Sequence, residues 1–169
     1  TACAYICEHP CEARCRRRMV DDAINIRGLK RYAVDHAGDV PNPPCAPPTG
    51  KKVAVIGGGP SGLSCAYYLA LMGHSVTIYE ERKQLGGMLR YGIPSYRFPR
   101  ELLDQEIESI LSTGIQVYTG MTVGKDIWLE KLQHEYDCVY IAIGAHQDKK
   151  VGIPGEDSRN VMSAVVMLR

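Results

Sequence analysis

Residues 51–80, KKVAVIGGGPSGLSCAYYLALMGHSVTIYE, read as a complete βαβ unit. Val53, Ala54, Val55 and Ile56 form an apolar run without polar alternation, the pattern of a parallel strand covered on both faces. Gly57, Gly59 and Gly62 follow at G-x-G-x-x-G spacing. The first makes a tight turn, the second lets a pyrophosphate approach the backbone, and the third lets the next helix pack on the strand. Pro60 suits a first helical turn, where a missing N–H costs nothing. Leu63, Ala66, Tyr67 and Ala70 then recur at helical spacing to about Met72, and Gly73 is a natural stop. Ser75 to Tyr79 reads as a second strand. It is closed by Glu80, about 20 residues beyond the glycines, where a carboxylate can accept hydrogen bonds from ribose hydroxyls. An acid there repels a 2′-phosphate, which argues against NADP in this crevice. The unit predicts an α/β, Rossmann-like domain holding an adenine dinucleotide, with an empty domain of the same fold as the plainer alternative.

The rest of the composition narrows the class. The chain has 169 residues, with 20 basic and 19 acidic side chains, a balance that argues against a nucleic-acid partner. No apolar stretch is long enough to span a bilayer. The chain starts at Thr1 without an initiator methionine or a signal-like pattern, and so reads as a piece of a cytoplasmic protein. Seven cysteines suit either a disulfide scaffold or a metal protein, and the Rossmann unit favours a reducing, intracellular setting.

Cys3, Cys7, Cys11 and Cys15 crowd the start of the chain, whereas Cys45, Cys65 and Cys138 are scattered singly. Spacing of C-x-x-x-C puts a sulfur on successive helical turns, or around a loop where Pro10 interrupts the helix. Thiolates at this density favour a soft metal. Zinc usually takes C-x-x-C knuckles, none of which is present, so an iron–sulfur cluster fits better, with zinc or plain thiols as the alternatives. Arg14, Arg16, Arg17 and Arg18 are placed to donate to cluster sulfides, or else form a solvated face. The run DDAINIRGLKRYAVDH, from Asp21 to about His36, reads as a helix. PNPPCAPP at 41–48 can be neither helix nor central strand and predicts a stiff, extended connector. The resulting division is a small helical, cysteine-rich part (1–40), a proline-rich linker (41–50) and a Rossmann-like part (51–169).

Past Glu80 the pattern predicts a helix from Arg100 to Thr113, a strand from Ile115 to Tyr118, a helix from Ile127 to His134 and an apolar strand from Cys138 to Ile143. That alternation belongs to a parallel sheet flanked by helices. No internal repeat is visible. Two further elements favour FAD over NAD. The paired glycines of Leu85-Gly86-Gly87-Met88 let backbone N–H groups approach a cofactor closely. The strand ending in Gly144 would return the chain to the crevice at the carboxyl ends of the strands, with an ordinary core strand as the alternative.

The segments CEHPCEARCRR, INIRGLKRYA, VAVIGGGPSGLSCAYYLA, LGGMLRYGIPSYRFP, AIGA and GIPGED together resemble the small subunit of NADPH-dependent glutamate synthase and the N-terminal part of dihydropyrimidine dehydrogenase. The resemblance covers the chain from about Cys3 to its end. It implies an N-terminal helical domain with two [4Fe–4S] clusters and a flavoprotein of two Rossmann-like domains, one for FAD and a second, inserted one for NAD(P)H. On that resemblance Gly59, Pro60, Ser61, Gly62 and Leu63 line the pyrophosphate and Glu80 meets the ribose. Leu85, Gly86, Gly87 and Met88 line the flavin side, Arg97 contacts the cofactor, and the backbone of Val123 meets the adenine. Cys7, Cys11 and Cys15 match cluster ligands, and Cys3 matches more loosely. Their partner cysteines lie upstream in the family, and Lys30 and Arg31 stand where it has a non-cysteine ligand region. The expected activity is that of a NAD(P)H-dependent iron–sulfur flavoprotein relaying electrons to a partner subunit or domain. This chain would be its FAD portion and would lack the second nucleotide-binding domain. Two alternatives compete: a non-catalytic FAD-binding or structural module of a larger complex, and a disulfide reductase. The second needs a C-x-x-C beside the flavin, and neither Cys65 nor Cys138 has such a partner in the sequence.

Overall fold

The computed structural model describes residues 1–168; Arg169, the last residue of the expected Rossmann-like part, lies outside them. Four strands, β1 (Lys52–Ile56), β2 (Ser75–Glu80), β3 (Gln116–Thr119) and β4 (Cys138–Ile141), form one sheet in the order β3-β2-β1-β4. All three pairings are parallel. The chain steps outward from β1 through β2 to β3, then crosses to the other side of β1 for β4. That reversal between β1 and β4 is the switch point at which open α/β sheets bind ligands.

Strand alternation divides the core between the two faces of the sheet. Val53, Val55, Val76 and Ile78 point to one face, where Leu63, Ala66 and Ala70 of α4 (Pro60–Leu71) and Leu103 and Ile107 of α6 (Arg100–Leu111) cover them. Ala54, Ile56 and Tyr79 point to the other face and meet Leu132 of α7 (Leu129–Glu135). Burial on both sides explains why β1 reads as an unbroken apolar run. A short helix, α5 (Met88–Tyr91), follows the paired glycines, and α8 (Ala164–Met167) lies near the end of the chain.

The cysteine-rich start is helical only in pieces: α1 (Ala2–Ile6), α2 (Pro10–Ala13), a 3-10 turn (Arg16–Met19) and α3 (Ile26–His36). Pro10 opens α2, and His9 before it takes a left-handed conformation at φ 43°, so the two cysteine helices are broken at that joint. The helix expected from Asp21 starts only at Ile26, because the side chain of Asn25 accepts a hydrogen bond from the Gly28 N–H at 2.9 Å and caps it. The segment is seated on the Rossmann part. The N–H groups of Thr1 and Ala2 donate to Glu106 at 3.2 and 3.0 Å, and the Tyr5 ring sits 5.7 Å from that of the fully buried Phe98.

Residues 37–51 contain no helix or strand, as the prolines require. The stretch is tied down at several points. The Ala46 N–H donates to the Leu71 carbonyl at 2.8 Å and the Thr49 N–H to that of Gly73 at 2.9 Å, while Asn42 bonds to Ser109 and Tyr67.

Candidate functional site

A crevice of about 640 Å³ opens at the β1–β4 switch point. Its walls include Gly57, Gly59, Pro60 and Ser61 from the first glycine loop, Glu80 from the end of β2, Gly87 and Met88 from the second, Val123, and Gly144 beyond β4. Nine of the residues singled out in the sequence therefore converge on one space. Gly62, Leu63, Leu85 and Gly86 are drawn in behind these walls, where they hold the loops in place.

Each glycine of the first loop answers a different demand. A Cβ on Gly62 would lie 1.9 Å from the Gly57 carbonyl oxygen, so only glycine lets α4 pack this closely on the end of β1. Gly57 has φ +107°, and a Cβ there would meet the Ala142 carbonyl oxygen at 2.4 Å. Gly59 is different: its φ is −79°, and the nearest atom to a built Cβ is the Gly87 Cα at 3.6 Å, an ordinary contact. Nothing in the protein requires a glycine at 59. The space a Cβ would fill opens into the crevice.

The two glycine loops touch directly. The Gly86 N–H donates to the Gly58 carbonyl at 2.8 Å, and a Cβ on Gly87 would fall 2.6 Å from the Gly59 Cα. Gly86 and Gly87 have φ values of +119° and +51°, a left-handed path that glycine alone follows without strain. Two arginines that the sequence reading passed over hold this loop. Buried Arg90 donates through Nε to the Leu85 carbonyl at 2.6 Å and pairs with Asp104. Arg100 donates to the Leu89 and Ile93 carbonyls at 2.8 and 2.7 Å. Arg90 lies within the LGGMLRYGIPSYRFP segment and Arg100 directly after it, yet the carbonyls they serve leave no trace in sequence.

Glu80 has a second duty. Buried at the end of β2, its carboxylate accepts from the Gly58 N–H at 2.6 Å and from the Arg82 N–H at 2.8 Å. The acid expected to meet a ribose thus also ties the first glycine loop to the turn after β2. Beside it, Tyr79 hydrogen-bonds through its hydroxyl to that of Tyr136 at 3.0 Å. Burial, then the Tyr136 hydroxyl, raise the Tyr79 phenol above its ordinary range, so it is a neutral wall of the crevice.

Arg97 lies outside the crevice. Its guanidinium stands 3.6 Å from Glu8, between the cysteine helices, so in this structure it joins the cysteine segment to the turn before α6.

The cysteines do not converge in the same way. Cys3 lies in α1, Cys7 follows it, Cys11 is in α2 and Cys15 precedes the 3-10 turn. Among the described residues no three His, Cys, Asp or Glu side chains form a group that could hold a metal ion. The four thiols by themselves therefore do not make a ligand set for a cluster. Cys15 is distinct in one respect: the backbone N–H groups of Ile24 and Arg17 hold its thiol below the ordinary range.

Sheet order, switch-point crevice and glycine loops define a Rossmann-like dinucleotide-binding domain, and residues 55–128 match the family model described as NAD(P)-binding Rossmann-like domain. The chain is a homologue of the glutamate synthase small chain, as its motifs imply. It is 36% identical to the glutamate synthase [NADPH] small chain of Mycobacterium tuberculosis over 167 residues, 96% of this chain and 34% of that one. It is 48% identical to the NADPH-Fe(3+) oxidoreductase subunit beta of Geobacter sulfurreducens over 163 residues, 93% of this chain and 24% of that one. The chain thus spans about a quarter to a third of these relatives' length. FprA from Mycobacterium tuberculosis, solved in complex with NADPH, shares the fold with a TM-score of 0.65 at 24% identity, over 73% of this chain and 28% of that one. No described helix is long and apolar enough to cross a membrane.

Proposed function

We propose that this chain is the FAD-binding portion of a cytoplasmic, NAD(P)H-dependent iron–sulfur flavoprotein oxidoreductase that passes electrons to a partner subunit or domain. The relatives named as NADPH-linked oxidoreductase subunits support the class of reaction. The observation that carries the cofactor is Gly59, a glycine with no protein atom to avoid, at the mouth of a crevice that a pyrophosphate would enter. The second glycine loop, docked against the first, favours FAD. It extends the wall past the phosphates toward Met88, which a nicotinamide-only domain has no need to do.

In this reading Gly59, Pro60 and Ser61 bind the pyrophosphate, with the N-terminus of α4 directed at it. Glu80 orients the ribose while keeping the glycine loop closed, and Val123 lies on the adenine side. Gly87 and Met88 flank the ring. A bound flavin accepts the two electrons of a hydride together and releases them singly, which suits it to stand between a nicotinamide and one-electron carriers. No side chain of this chain need act as general acid or base. NADPH would bind in a separate domain, since the carboxylate of Glu80 repels a 2′-phosphate here. Cys3, Cys7, Cys11 and Cys15 would join iron only with ligands from elsewhere.

The test is to purify the protein anaerobically, extract the bound nucleotide and identify it, alongside the Gly59→Ala variant. The expected result is FAD in the wild type and none in Gly59→Ala, whose melting temperature stays within a degree or two because its Cβ meets nothing closer than 3.6 Å. A wild-type protein that takes up neither FAD nor NAD(P)H, or a Gly59→Ala variant that retains FAD fully, would overturn the assignment.

A further inference from the structure

The two cysteines that lack a partner in the sequence line one groove in the fold. Helix α4 runs back along the sheet, so its residues face β4 in reverse order. The Ser61 and Tyr140 hydroxyls are 3.0 Å apart and set that register. One turn along α4, about 6 Å, comes Cys65; two residues back along β4, about 6.6 Å, comes Cys138. The matching steps direct both residues to one groove. Cys138 is paired in register with Val53, whose side chain lies in the core beneath α4, so Cys138 sits on the α4 side of the sheet. Both cysteines line one groove of about 410 Å³, with Val53, Leu69 and Tyr140 and with Lys51, His74 and Asp137. Charge on Cys138 reaches Cys65: burial first, and Cys138 next, raise the Cys65 thiol above its ordinary value.

We propose that Cys65 and Cys138 form a reversible dithiol–disulfide pair that ties α4 to β4 directly beneath the crevice. The co-reactant is a small-molecule disulfide. Cys138, the exposed thiol, attacks first as thiolate: its sulfur bonds to one sulfur of the reagent, and the other leaves as a thiolate that takes up the proton. Cys65, half-buried and harder to ionise, resolves the mixed disulfide. Its sulfur bonds to that of Cys138 and the second reagent thiol departs with the Cys65 proton. Two protein thiols are oxidised, and one reagent disulfide is reduced to two thiols. The bond would link the helix that begins at Pro60 and Ser61 to the strand that leads to Ile141 and Gly144, two walls of the same crevice. On the dinucleotide reading above, it would then slow exchange of the cofactor.

The experiment incubates the purified chain with glutathione disulfide, alkylates the remaining thiols, and maps linked peptides by mass spectrometry. Wild type should lose two of its seven thiols to a Cys65–Cys138 link that dithiothreitol reverses. Cys65→Ser should stop at a glutathione adduct on Cys138, and Cys138→Ser should leave Cys65 open to alkylation. A wild-type protein that accumulates the Cys138 adduct with Cys65 still alkylable, or that links either cysteine elsewhere, would overturn the pair. The linked peptide is read without any cofactor, so its absence is distinct from a failure of the flavin assignment. If the link forms and cofactor exchange is unchanged, the structural pair stands and the proposed effect on exchange is lost.

Discussion

The crevice and the cysteine segment are two sites built on opposite plans. The crevice is made by backbone. Its loops meet because the sheet buries β1 and β2, because glycines allow contacts that a Cβ would block, and because Glu80, Arg90 and Arg100 bond to main-chain groups. Folding alone assembles it. The cysteine segment offers side chains on short helices in which only Ala4 is buried. Thiolates repel one another, and a ligand set of this kind is drawn together by the metal it binds. The difference is one of timing: the first site exists before its ligand arrives, whereas the second would be completed by it.

The sharpest way to break this contrast is Gly62→Ala. A methyl group 1.9 Å from a carbonyl oxygen must push α4 off β1, at about 3 kcal/mol as overpacking costs go. A chemical denaturation midpoint and nucleotide content should fall together in this variant. Unchanged stability would mean that the crevice is less rigidly built than its contacts indicate. Glu80→Ala comes next. It leaves the Gly58 and Arg82 N–H groups without their acceptor, at about 2 kcal/mol for a buried pair of donors. Stability should fall even without cofactor, with partial recovery in Glu80→Gln, which keeps one acceptor oxygen. A loss of cofactor affinity with no loss of stability would assign the residue to the ribose alone. At the small end, replacing Cys7, Cys11 and Cys15 together by serine should change the stability of the metal-free chain by less than about 0.5 kcal/mol, as at surface sites. A large loss measured by thermal unfolding would show that the segment is already organised without metal.

The same contrast explains what could be read from the sequence. The βαβ unit was legible because each part is local: an apolar run, three glycines, a helical repeat and an acid at a set distance. Observed bounds differ from the expected ones by a residue or two at β1 and α4. Ile115, expected in the third strand, lies just before β3, and Ile143 lies two residues past the end of β4. Less legible were features whose partners lie far away in the chain. Arg90 and Arg100 serve carbonyls, the two hydroxyls of Tyr79 and Tyr136 meet across the sheet face, and Cys65 and Cys138 come to one groove only in the folded chain. Glu80 shows the limit from the other direction: its position announced a ribose contact, and nothing in the sequence announced its hold on Gly58. Arg97 shows it again. The SYRFP motif gave the residue, and the packing of α1 against Phe98 carried it toward Glu8 and away from the crevice.

The position of β4 has a further consequence for the behaviour of the chain in concentrated solution. Like β3 at the opposite margin, it has a single neighbour in the described sheet, and Ile141 at its end and Ile143 two residues beyond are 59% and 62% exposed. Such a margin presents a row of unpaired N–H and C=O groups, backed by apolar side chains, to any extended polypeptide that approaches. With nearly equal numbers of acids and bases, the surface supplies little general repulsion to oppose that approach. The colloidal stability of this segment therefore depends in part on whether that margin is covered.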